Sequence, residues 1–133
     1  MWIILKDSFV SVVEHRDDPA KLLVRARRAA DLKRLLPGHK VSRMDDADYP
    51  FRVTTSRPVL REALAARVDD IDYGNFKDAV PDKERKAVYT RVWSALLSLE
   101  KLARLGWRGA YSYVGDGAGL GPEVEFPGDR LGH

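Results

Sequence analysis

The chain has 133 residues, 44% of them hydrophobic and 32% charged, with a formal net charge of +3 and no cysteine. That length suits one folded domain with a real core and is short for two. The composition excludes a disordered chain, a disulfide scaffold, a thiolate nucleophile and a cysteine-type zinc site, and no apolar run approaches the roughly 20 residues that span a bilayer.

Residues 2–5 form a short apolar run, and residues 9–15 alternate, with Phe9, Ser11 and Val13 on one face and Val10 and Val12 on the other. Lys6, Asp7 and Ser8 between them predict a hairpin connection. Lys6 and Asp7 also interrupt the apolar start before a signal-peptide core can form, so a cytoplasmic location is expected. His15, Arg16, Asp17, Asp18 and Pro19 make a polar exit from the hairpin, and residues 22–27 follow as a third strand. From Arg28 the apolar spacing becomes helical: Ala29, Leu32, Leu35 and Leu36 share a face that ends at Pro37-Gly38.

Residues 40–44 are a candidate fifth strand. In residues 49–55, Tyr49, Phe51 and Val53 alternate with Pro50, Arg52 and Thr54, the mark of a half-buried strand whose start lies at an edge. Ser56 is a good N-cap, and Pro58 is tolerated in a first helical turn. Leu60, Leu64, Val68 and Ile71 then predict the buried stripe of a second helix, broken at Asp72-Tyr73-Gly74-Asn75. A third and longest helix is expected from about Lys83 to Leu105, stopped by Gly106, with Val88, Val92, Ala95, Leu99, Leu102 and Ala103 on its buried face.

These elements predict an α+β fold. An N-terminal β-hairpin precedes a ferredoxin-like, split βαβ sheet of four to five strands, with the long third helix packed across it or projecting from it. Residues 1–108 are expected to form a single domain, and the Gly/Pro-rich residues 109–133 an extended or partly disordered arm.

Charge is laid out in blocks. Residues 1–43 carry ten Lys/Arg against five acids, residues 44–82 five against nine, residues 83–108 seven against two, and the last 25 one against four. Such alternation predicts neighbouring faces of opposite sign, solubility and internal ion pairing.

Several motifs match catalytic or binding patterns only in part. His15-Arg16-Asp17 matches the start of a kinase catalytic loop, but only 14 residues precede it, Asn75 is distant and no Asp-Phe-Gly occurs. Gly115, Gly117, Gly119 and Gly121 lack the spacing and the following helix of a dinucleotide-binding loop. The acidic sets Asp45, Asp46, Asp48 and Asp69, Asp70, Asp72 fail the EF-hand pattern, since Asn75 and Pro81 stand where Gly and Glu are required. Ser11, His15 and Asp17 lie too close along one strand and turn to be expected as a triad. No cofactor is implied, and the chain leans away from being an enzyme.

Two surfaces remain. Arg25, Arg27, Arg28, Lys33, Arg34, Lys40 and Arg43 are candidate contacts for nucleic acid or an acidic partner, with Tyr49 and Phe51 as a stacking platform. Tyr89, Trp93 and Leu97 recur every fourth residue along one edge of the third helix and form a candidate protein interface or self-association surface.

The stretches "FVSVVEHRDDP" from Phe9, "LLVRAR" from Leu22, "DADYPFRV" from Asp46, "IDYGNFKDAV" from Ile71 and "YTRVWSAL" from Tyr89 occur together and in order. Over roughly residues 1–100 the set resembles a family of short, uncharacterised bacterial and bacteriophage proteins. The resemblance implies a bacterial or phage source and no catalytic residue. With the charge layout, it leads to the expectation of a small non-enzymatic regulatory protein acting by macromolecular contact, such as a phage or mobile-element inhibitor of a host or anti-phage defence complex. A nucleic-acid-binding module is the alternative, and an enzyme with an unrecognised site stands third.

Overall fold

The structure, a computed structural model, describes residues 1–104. The expected arm at 109–133 and the stop at Gly106 lie outside the described residues. The fold is α+β, with a five-stranded antiparallel sheet and three helices, the last of them long. The strands are β1 (Trp2–Leu5), β2 (Ser8–Glu14), β3 (Lys21–Ala26), β4 (Ser42–Arg43) and β5 (Phe51–Ser56); the helices are α1 (Ala29–Leu35), α2 (Arg57–Asp69) and α3 (Lys83–Arg104). The chain forms two compact units, Met1–Asp82 and a second that begins with α3.

β1 and β2 form the expected hairpin, closed by Lys6-Asp7 alone, because Ser8 already pairs with Leu5. β2 pairs with β3 and β3 with β5, so the strand order is β1-β2-β3-β5-β4. β3 and β4, which α1 joins, both run antiparallel to β5, which lies between them. The two residues of β4 form the outer edge, and β1 and β2 continue the sheet on the other side of β3. Among the described residues no strand follows α2, so the sheet agrees with the expected ferredoxin-like one only in part.

Alternation along the strands puts Val10, Val12, Leu22, Val24, Ala26 and Val53 on one face, where Leu32, Leu35 and Leu36 of α1 and Leu60 of α2 cover them. Burying a side chain such as Leu32 contributes about 1.5–3 kcal/mol. α1 ends where Gly38 adopts a φ of 79°, a conformation that costs glycine little and a β-carbon more. Ser56 caps α2 by accepting the Val59 N–H at 3.4 Å, and Pro58 sits in its first turn.

Two expected stripes are not buried as expected. Val68 and Ile71 are exposed, because only the first turns of α2, through Leu60, Ala63 and Leu64, pack onto the core. On α3, Val88, Ala95 and Leu99 are exposed, and Val92 and Leu102 are half-buried. Pro50 also shifts a boundary. Having no N–H to give a ladder, it delays β5 to Phe51 and leaves Tyr49 outside the strand.

Candidate functional site

Tyr49 and Phe51 end on opposite sides of the sheet. Phe51 packs against the apolar core, with the Arg43 guanidinium 5.7 Å from its ring. Tyr49 lies over the face opposite α1 and α2, beside Phe9 at 6.3 Å, and Phe9 in turn meets Trp2 at 6.1 Å. Arg25 and Arg27, two residues apart on that face, approach the Tyr49 ring at 5.0 and 5.2 Å. The ring is thus buried between two cations rather than offered for stacking, and the Tyr49–Phe51 platform does not form.

Arg25 donates from Nη2 to the buried Ser11 hydroxyl at 2.9 Å, while its buried Nε meets no acceptor. The π-face of Tyr49 offsets part of that cost. Arg25 stands directly opposite Arg52 across the ladder, an unfavourable pairing of like charges. Arg52 in turn donates from Nε to the Tyr49 carbonyl at 3.3 Å.

The remaining basic candidates are mostly matched by acids. Arg27 pairs with Asp48 at 3.1 Å, Arg28 with Asp82 at 3.3 Å, Arg34 with Asp31 at 3.2 Å, and Arg43 with Asp45. Lys33 and Lys40 are exposed on separate segments, the outer side of α1 and the loop before β4. The structure therefore does not gather the seven basic residues into one positive surface.

The polar segment after β2 is a turn. Asp18 accepts the Ala20 N–H through its side chain and the Lys21 N–H through its carbonyl, both at 3.0 Å. The Asp17 N–H donates to His15 Nδ1 at 3.2 Å. Ser11 is held by Arg25 and lies four residues back along the strand, about 13 Å from His15. Serine, histidine and aspartate are therefore not assembled for nucleophilic chemistry. Among the described residues no three His, Asp or Glu side chains converge as a metal site, those of the two acidic sets included.

A polar cluster that sequence reading missed lies at the hairpin tip. Asp31 of α1 is 3% exposed and accepts the Phe9 N–H at 3.0 Å and an Arg34 N–H at 3.2 Å. Arg34 also donates to the Asp7 carbonyl at 2.8 Å, and Arg67 of α2 pairs with the Asp7 carboxylate. The β2–β3 register would place Phe9 opposite residue 27, past the end of β3, so its N–H finds a carboxylate instead of a ladder partner. This cluster fastens the hairpin to two helices and has the character of a structural clamp.

α3 presents the other candidate surface. Tyr89 is buried, with its hydroxyl 3.1 Å from Arg85 Nη1. Trp93 is 47% exposed and Leu97 41%. Leu96, which belonged to neither expected stripe, is 55% exposed. Its position between the two stripes on the helical wheel was the available signal. α3 thus carries a broad apolar arc that includes Val88, Trp93, Leu96, Leu97 and Leu99, all of them exposed. Among the described residues no helix is long and apolar enough to cross a membrane. No family model, curated protein or solved structure matches the chain.

Proposed function

We propose that the protein acts by contact with another macromolecule, a protein partner or a second copy of itself, and that α3 carries the contact. The observation behind this reading is the run of large apolar side chains left exposed on that helix, Val88, Trp93, Leu96, Leu97 and Leu99. Exposed apolar area concentrated on one element, with an aromatic anchor in it, is the usual make-up of a protein interface. The action is regulatory rather than catalytic, and the resemblance over residues 1–100 adds the concrete form of a phage or mobile-element inhibitor of a host complex.

Binding of nucleic acid has less support, since four of the seven candidate cations already face a carboxylate. Both readings are tested by one set of variants. A protein retained from a bacterial lysate, or self-association, should be lost with Leu96→Asp and kept with Lys33→Glu/Lys40→Glu. A nucleic-acid mobility shift that weakens with rising salt and is abolished by the lysine pair would overturn the proposal.

A further inference from the structure

Val88, Val92, Ala95, Leu99 and Leu102 are separated by four, three, four and three residues. That spacing is the seam of a two-stranded coiled coil, in which apolar residues recur every 3.5 residues on average. A seam of this kind is satisfied only by a helix with the same repeat, yet Val88 is 56% and Leu99 50% exposed. Neither α1 nor α2 has a free apolar repeat of that length. α1 has seven residues, and α2 has thirteen and spends its apolar side on the core.

We infer that the occupant of this seam is α3 of a second copy, lying antiparallel, so that the protein is a two-fold dimer. This rests on the reading of α3 as the contact element and names its partner. In the antiparallel register Val88 faces Leu99 of the second copy, and Val92 faces its Ala95. The central layers then set Val92 against Ala95, with Leu102 beyond them opposite Arg85, whereas a parallel register would set Ala95 against Ala95 and leave a gap at the middle.

The flanks agree with this pairing. On one side Leu96 is exposed beside the seam and extends its apolar surface, while Tyr89 is already buried within its own chain. On the other side Arg91 is opposite Ser98, so no like charges oppose each other beside the seam between Val88 and Leu102. The interface is isologous, and it closes after two copies.

Sedimentation of the full chain across the micromolar range tests this. The wild type should pass from monomer to dimer, and Val92→Asp and Leu99→Asp should each weaken self-association roughly tenfold or more. Thr90→Asp, on the opposite side of α3, should leave it unchanged, with circular dichroism confirming that all variants fold. Because the chain has no cysteine, thiols introduced by Val92→Cys and Ala95→Cys report the register directly. Mixed and oxidised, the two variants should give the heterodisulfide.

A monomer at every concentration, a dimer indifferent to both aspartates, or homodisulfides in place of the mixed one would overturn the inference. A monomeric chain that still retains a lysate protein through α3 would refute self-pairing and leave the contact reading intact. A chain that does neither removes both.

Discussion

Replacing Asp31 tests the clamp at the hairpin tip. In Asp31→Ala the Phe9 N–H loses an ionised acceptor at 3.0 Å, in a place where the register provides no strand partner. A hydrogen bond to a charged group contributes about 1.5–3 kcal/mol, and an unsatisfied donor costs about 1–3 kcal/mol. These are overlapping descriptions of one loss. The Arg34 interaction adds little, because that guanidinium side chain is 47% exposed and solvent screens it. The expected total is about 2–4 kcal/mol, read as a lower urea midpoint with an unchanged slope.

Two controls separate this account from a general packing defect. Asp31→Asn keeps an acceptor of the same shape and should cost about half as much. Arg34→Ala removes only the exposed partner and should cost less than about 1 kcal/mol. Amide hydrogen exchange gives the local readout, since the Phe9 N–H should lose protection beyond the global change in stability. A loss under about 0.5 kcal/mol in Asp31→Ala, or an undisturbed Phe9 amide, would refute the reasoning.

Three further substitutions follow from the same geometry. Ser56→Ala removes the side-chain cap on the Val59 N–H and should cost about 1 kcal/mol by urea unfolding, with Ser56→Asp close to wild type. Tyr49→Leu keeps apolar volume but takes the ring from between Arg25 and Arg27, so about 1–2 kcal/mol should be lost, and less when Arg25 is replaced as well. Trp93→Ala should lower stability by less than about 2 kcal/mol, since Trp93 is 47% exposed, and should weaken retention of a protein partner while leaving dimerisation through the Val88–Leu102 seam unchanged, because Trp93 lies outside that seam. A stability loss of the size expected for a buried tryptophan would place Trp93 in the core.

The elements were legible where local pattern decides them. Alternation in residues 9–15 and 22–27 and helical spacing after Arg28 follow from which side chains the sheet buries, and the structure has strands and a helix there. Strand order was less legible, since β3 and β5 meet across 24 intervening residues that no local pattern constrains, and nothing local shows that the hairpin joins the same sheet beside β3. Pro50 was read as marking an edge, yet its larger effect was to send Tyr49 and Phe51 to opposite faces. Asp31 gave no warning, since an aspartate in a first helical turn is ordinary and only the missing strand partner of Phe9 makes it special. On α3 the periodicity picked out the apolar positions but not their burial, since Val88, Ala95 and Leu99 of the expected buried face are exposed.

The charge blocks explain why so basic a segment does not make a basic surface. Four of the ten cations of residues 1–43 pair with acids of the following block, Lys6 with Asp72, Arg27 with Asp48, Arg28 with Asp82 and Arg43 with Asp45. The reverse also occurs, with Arg57 on Glu14 and Arg67 on Asp7. Most of these pairs are exposed, and each contributes at most about 1 kcal/mol to stability. Their larger effect is on the field outside the molecule. A phosphate backbone is attracted by cations whose charge is not cancelled within a Debye length, about 8 Å at physiological salt, and each paired guanidinium has an acid well inside that distance. Within Met1–Asp82, then, alternating charge holds segments in place and quiets the surface. On α3, by contrast, large apolar side chains remain exposed in a repeating order.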